Sequence, residues 1–312
     1  MVEIFFKTLP FFAIIGLGYF AARWKFFSSE ATVYLTKFVF YFALSAMIFQ
    51  FSAKLSLSEF LNWNFVFAYI CASLSVYSLG FVVGLMRGNP VSQAAVEAQC
   101  CAIGNVGFLG IPMLALLLGP QAVGYVMIIL AVDLIVFGSL IVLLILGSRE
   151  RKIKFSILIT LVMGLVKNPM IMAIVTGLCW SIFELPLPDP FWEFVTLLGA
   201  ASTPCALFAI GASLVAKTTE RVQTAVWISF VKLVLHPLAV AVMALLVFEV
   251  DFYAASVMIV ASALPVAGNI YILAEHYQVA PQRVSASILV STIVSIFSIS
   301  LVMSLAGSSF NF

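Results

Sequence analysis

CCAIGNVGFLGIP, residues 100–112, is apolar enough to lie in a membrane yet carries Gly104, Asn105, Gly107 and Gly110 ahead of Pro112. A continuous lipid-facing helix gains nothing from that composition. Each Gly in a helix interior costs about 1 kcal/mol relative to Ala, and a Pro removes a backbone donor. Asn105 adds an amide that both donates and accepts. Together these residues predict a helix that opens midway across a bilayer. Backbone broken at membrane depth is tolerated only where it is buried in protein or lines a cavity, and in secondary transporters such breaks hold substrate.

The rest of the chain supplies the membrane setting. Of 312 residues, 64% are hydrophobic and 9% charged, whereas soluble domains carry about 25% charged residues. At about 20 apolar residues per span, the expectation is an all-α polytopic membrane protein with ten spans: 4–22, 31–52, 63–86, 94–118, 120–147, 168–185, 191–216, 224–248, 253–276 and 283–307. Glu3 and Lys7 lead straight into an apolar stretch without a basic n-region, so the N-terminus reads as the first span and not as a removed signal. The one longer connection, 148–167, starts with basic residues, turns amphipathic and is expected along the cytoplasmic surface. The net charge of +2 is too small for nucleic-acid binding. Cys71, Cys100, Cys101, Cys179 and Cys205 all fall in apolar stretches without metal-ligand spacing and are expected to be buried thiols.

Orientation follows from the cations. Arg23, Lys25, Arg87, Arg149, Arg151, Lys152, Lys154, Lys167, Lys217, Arg221 and Arg283 all follow an odd number of spans, against Lys54 alone on the other side. The positive-inside rule then puts both termini outside and the longer connection in the cytoplasm. The halves also echo one another. Pro10 and Pro169, Gly18 and Gly177, and Ser45 and Pro204 are each 159 positions apart, and Gly104 and Pro265 are 161 apart. Because five spans is an odd number, a second copy is inserted upside down, which sets broken spans four and nine against each other near the midplane. The expected organisation is a first five-helix repeat over 1–147, a linker over 148–167 and an inverted repeat over 168–312.

GNVGFLGIP at 104–112, Asn168-Pro169 opening span six, TPCALFAIGASL at 203–214 and ALPVAGNIYILAEHY at 263–277 resemble the signatures of the auxin efflux carrier family, which includes bacterial dicarboxylate carriers and plant auxin exporters. The resemblance covers nearly the whole chain. It implies ten spans in two inverted repeats, helices four and nine unwound where they cross, and a scaffold part and a transport part that move against each other. By similarity, the family's carboxylate-binding Asn falls on Asn105 and the crossover Pro of helix nine on Pro265. Plant members carry a Pro where this chain has Gly104, a departure that points to a more flexible break and away from auxin. A polar site position in helix five of plant members falls on Asp133.

The candidate substrate site therefore comprises Asn105, Gly104, Gly107, Pro265 and Asn269. Asn105 at an unwound point presents its amide to an anion alongside helix-start N–H groups; the plainer alternative is an interhelical hydrogen bond. Asn269 is either a polar counterpart of Asn105 or a partner for carbonyls freed by Pro265. Asp133, in mid-span, is the ion-coupling candidate, because a carboxylate at bilayer depth is normally paired, protonated or functional. Beside an anionic substrate it works protonated or with a cation bound. Lys232 and His236 share one helical face and are secondary candidates, with snorkelling to the interface the favoured reading of Lys232. Lys37 is read in the same way, Glu97 as interfacial, and Glu275 and His276 as solvated or hinge residues.

Enzymatic readings find no support: the sequence has no P-loop, HExxH or GxSxG with a triad. The reading is a carrier of small organic carboxylates in the plasma membrane, in bacteria the inner membrane, exporting by alternating access. Its rivals are a sodium- or proton-coupled antiporter or symporter and an anion channel. The expected partners are the organic anion, a proton or sodium ion, membrane lipid and, by resemblance, a second copy of the chain; no cofactor, metal or nucleic acid is expected.

Overall fold

The computed structural model describes residues 2–55, 62–150, 155–215 and 222–307. Among them all regular secondary structure is helical. The helices are α1 (Val2–Arg23), α2 (Ser29–Ala53), α3 (Trp63–Met86), α4 (Val91–Ala102), α5 (Val106–Leu118), α6 (Ala122–Arg149), α7 (Phe155–Val166), α8 (Pro169–Ile182), α9 (Asp189–Leu214), α10 (Val222–Val247), α11 (Phe252–Ser262), α12 (Asn269–His276) and α13 (Pro281–Gly307). Six of these, α2, α3, α6, α9, α10 and α13, are individually long and apolar enough to cross a membrane. A seventh span is possible if α7 and α8, bent by 68° against each other, are counted as one. Of the expected cytoplasmic linker, 151–154 with Arg151, Lys152 and Lys154 lie outside the described residues, as do Lys217 and Arg221; Ser148 and Arg149 end α6, and 155–166 form α7, an apolar helix.

The sequence starts these helices with side-chain caps. Ser28 Oγ accepts from Ala31 N at 3.0 Å and Asn62 Oδ1 from Asn64 N at 2.8 Å. Asn168 Oδ1 accepts from Met170 N at 3.0 Å just ahead of Pro169, and Asp251 Oδ2 from Tyr253 N at 3.0 Å. Each cap satisfies an N–H that the helix itself leaves open, and Pro169 loses nothing at a first helical position.

Close packing depends on glycines. α1 lies against the second half of α9, where a Cβ on Gly18 would overlap the Phe208 carbonyl and one on Gly211 would overlap that of Ile15. α8 lies against the second half of α2, where a Cβ on Gly177 would come within 2.9 Å of the Phe49 carbonyl. Small residues let helices approach closely where no hydrophobic force draws them together. Gly211→Leu is therefore expected to destabilise the folded protein by about 1–3 kcal/mol or more, read as a lower melting temperature in detergent. Gly147→Ala, where a Cβ would meet nothing within 4 Å, should leave the melting temperature unchanged.

Not every expected burial is found. Cys71 and Cys179 are exposed on the chain's outer surface and Cys205 is half-buried; only Cys100 and Cys101 are buried, on the helix that meets α3. An apolar thiol on a lipid-facing surface costs nothing, so the apolar context alone did not require burial. Glu97 is buried within the protein and ion-paired. It is 3% exposed and held by Arg283 Nη1 at 2.6 Å, with Asn89 Nδ2 donating to the same oxygen at 3.2 Å. A carboxylate one turn into a helix is buried here because α13 brings it a cation.

Candidate functional site

The stretch at 100–112 is broken as its glycines require. α4 ends at Ala102 and α5 starts at Val106, while α11 ends at Ser262 and α12 starts at Asn269. The two extended segments between them lie side by side as an isolated antiparallel bridge with Gly104 opposite Val266. Asn105 N donates to Pro265 O at 2.8 Å and Ala267 N to Ile103 O at 3.2 Å. Val266 N donates to Ser291 Oγ at 3.1 Å. Each break thus supplies the backbone partners that the other has lost, which is the condition for non-helical backbone at membrane depth. In this register Gly104 faces Val266 and Asn105 faces Pro265. Pro265 has no N–H, and this register asks it only to accept.

Asn105 caps the start of α5 at φ −76° and ψ 56° and is 5% exposed. Its carbonyl accepts from Leu109 N at 3.1 Å and Gly110 N at 3.0 Å, the wide spacing of a π turn over Val106–Gly110. π turns inside α-helices recur at functional sites, and two more contain Asp133, in Asp133–Phe137, and Lys232, in Val231–Leu235. Gly107 faces Leu130, Leu44 and Met170, with 3.7 Å to the nearest of them from where its Cβ would be.

Lys232 does not snorkel. It is fully buried, its Nζ donates to the Ser262 carbonyl at the end of α11, and it lies 3.0 Å from His236 Nδ1. A Cβ on Gly104 would be 3.2 Å from the same Nζ. The shared face of Lys232 and His236 is as expected, but it turns inward, so the ammonium sits against the helix break and covers a carbonyl that the end of α11 leaves open. His236 Nε2 in turn lies 2.9 Å from Ser73 Oγ. One turn earlier on α3, Tyr69 donates to Asp133 Oδ1 at 2.8 Å. Tyr69, Ser73, His236, Lys232 and Asp133 are all at least nine-tenths buried.

Asp133 also lines a cavity of about 370 Å³ together with Gln99 and Ile103 of the α4 segment, Asn168, Asn269 and, towards one end, His276 and Tyr277. Among the described residues, three buried oxygens on this lining have no hydrogen-bond partner: Asp133 Oδ2, Gln99 Oε1 and Asn269 Oδ1. Buried polar atoms are normally paired, and these three are the acceptors that the protein leaves open on the lining. The structure therefore separates the sequence candidates. Asp133 and Asn269 share the cavity; Gly104, Asn105 and Pro265 form the backbone crossing beside it; Lys232 and His236 lie behind the crossing. Asn105 is not among the cavity's lining residues, and Pro265, not Asn269, lies opposite it across the bridge.

Tyr69, Ser73 and Gln99 belong to this constellation and were missed in the sequence. Tyr69 and Ser73 are four apart on one helix, the same spacing that singled out Lys232 and His236, and Gln99 is a polar residue in an apolar span.

A family described as membrane transport protein matches residues 3–303. Over 299 residues, 95% of this chain and 93% of the relative, the sequence is 28% identical to a Rhizobium meliloti (strain 1021) protein named "Putative malonate transporter". It is 26% identical over 297 residues to the "Uncharacterized transporter YfdV" of Escherichia coli (strain K12), covering 91% of this chain and 92% of that one.

Proposed function

The chain belongs to the membrane transport protein family, the auxin efflux carrier family whose motifs its sequence carries, and from that premise we propose that it is a secondary transporter of small organic carboxylates. Malonate is the first compound to try, since a full-length relative is named for it. The protein is multi-pass; we place it in the plasma membrane, the inner membrane in bacteria, with both termini outside and transport running as efflux by alternating access.

The observation that carries this reading is the pair of opposed helix breaks with a buried lysine against them. An anion at the break meets the N-terminal end of α5 and the amide of Asn105, with the Lys232 ammonium next to Gly104. Gly104, Gly107 and Pro265 keep the backbone open, and Asn269 closes the cavity side. Asp133, in the cavity wall with one oxygen unpaired, is the coupling residue for a proton or sodium ion.

Ten spans in two inverted repeats, 1–147 and 168–312 around the linker 148–167, are part of this proposal, with a transport part moving against a scaffold. Two exchanges of partner support it. Gly18 packs on Phe208 and Gly177 on Phe49, and both members of each pair shift by 159 positions. Asn105 donates to Pro265 and Ala267 to Ile103, and both members shift by 162. Reciprocal contacts of this kind are what a two-fold axis in the membrane plane produces.

The test is uptake of labelled dicarboxylates and indole acids into proteoliposomes, with membrane potential, pH gradient and sodium gradient imposed one at a time. Saturable malonate uptake driven by one of them is expected. Uptake of none of these acids above protein-free liposomes would exclude the carboxylate reading.

A further inference from the structure

We propose that Tyr69, Ser73 and His236 form a proton path inside the protein between Asp133 in the cavity wall and Lys232 at the helix break, so that one proton travels with each carboxylate. The proposal rests on the carboxylate-transporter reading above.

The atoms form a file with three contacts in place. Lys232 Nζ is 3.0 Å from His236 Nδ1, His236 Nε2 is 2.9 Å from Ser73 Oγ, and Tyr69 donates to Asp133 Oδ1 at 2.8 Å; Ser73 stands one turn from Tyr69 on the same face of α3. The file crosses three helices, α10, α3 and α6, and every member is buried. Apolar packing needs none of these groups. Three polar side chains placed end to end between a carboxylate and an amine are costly to bury unless each satisfies the next, and intramembrane ionisable residues are retained chiefly where they do work.

Proton bookkeeping along the file closes. With Lys232 as ammonium and Asp133 as carboxylate, a Ser73 hydroxyl turned to the Tyr69 oxygen one helical turn away makes every link point the same way: Nζ–H to Nδ1, Nε2–H to Ser73 Oγ, Ser73 O–H to the Tyr69 oxygen, Tyr69 O–H to Oδ1. One proton shifted along each link leaves a neutral amine at Lys232, His236 as its other neutral tautomer and a carboxylic acid at Asp133. Only N–H and O–H bonds have broken and formed. An anion at the break favours the ammonium form of Lys232. The proton then comes from the Asp133 acid, and the exposed carboxylate takes a replacement from cavity water through its free Oδ2.

Other titratable groups nearby have separate places. The Cys101 thiol of α4 packs against Gly80 of α3, Glu97 is committed to Arg283, and His276 and Tyr277 line the same cavity as Asp133.

The experiment adds malonate to the purified wild-type protein in weakly buffered detergent solution with a pH indicator, alongside Tyr69→Phe and Ser73→Ala. Each variant removes one hydroxyl and no carbon, so the helices keep their packing. The wild type is expected to take up about one proton per malonate bound. Both variants are expected to bind malonate within about twofold of wild type while their proton uptake falls at least roughly tenfold. Malonate binding without proton uptake in the wild type would overturn the path, as would undiminished uptake in Tyr69→Phe. Loss of malonate binding in both variants would also overturn it, by making the two hydroxyls part of the binding site or the fold. If neither malonate nor any other carboxylate binds the wild type, the transporter reading itself fails and the path fails with it.

Discussion

Asn105→Ala is expected to raise the concentration of malonate needed for half-maximal uptake by about 10- to 100-fold in a protein that still folds. A hydrogen bond to a charged group is worth about 1.5–3 kcal/mol, and about 1.4 kcal/mol corresponds to tenfold in affinity. The fold should survive because Asn105 holds the crossing through its main chain. Its N donates to Pro265 O at 2.8 Å and its carbonyl accepts from Leu109 and Gly110, and an alanine keeps all three bonds. Uptake kinetics in proteoliposomes, with elution of the variant in detergent as the check on folding, decide the matter. A variant that transports like the wild type would remove Asn105 from the site and leave it an interhelical bond.

Lys232→Met is expected to abolish transport, by at least roughly a hundredfold, and to lower stability as well. Methionine fills a similar volume, but the substitution strips the Ser262 carbonyl and His236 Nδ1 of their partner. A buried polar group left unsatisfied costs about 1–3 kcal/mol. The positive charge beside Gly104 disappears with it. Lys232→Arg is not expected to rescue function, since the guanidinium is larger and planar and the site is already tight enough that a Cβ on Gly104 would come within 3.2 Å of Nζ. A snorkelling lysine would behave in the opposite way, with near-normal uptake in both variants.

The contrast between these residues shows what a sequence reveals about such a protein. The break at Gly104 was legible because glycine and asparagine in an apolar span contradict a lipid-facing helix, and local composition alone exposes that contradiction. The same holds for the start of α8, where Asn168 and Pro169 combine a cap with a pre-set first turn. Asp133 stood out because a mid-span acid is costly wherever it points. Burial of Lys232 was not legible. Two turns into a span, a lysine reaches water on one face and the core on the other, and the π turn at Val231–Leu235 changes which face it occupies. The ion pair of Glu97 was hidden for the same reason, since its partner Arg283 is 186 positions away. Gln99, Tyr69 and Ser73 are ordinary residues one at a time. Only the packing of α3 and α4 against α6 and α10 turns them into cavity wall and hydrogen-bonded file.

Transport by alternating access at the crossing makes one demand that neither a channel nor a structural membrane protein meets. Substrate on the far side must accelerate flux from the near side, because a loaded site returns as readily as it departs. The direct measurement is uptake of labelled malonate by proteoliposomes preloaded with unlabelled malonate, compared with empty proteoliposomes under the same gradients. Saturable uptake stimulated by the preloaded malonate, and strongly reduced in Asn105→Ala, is the result this account predicts. Flux that rises linearly with concentration and ignores the malonate inside would contradict it.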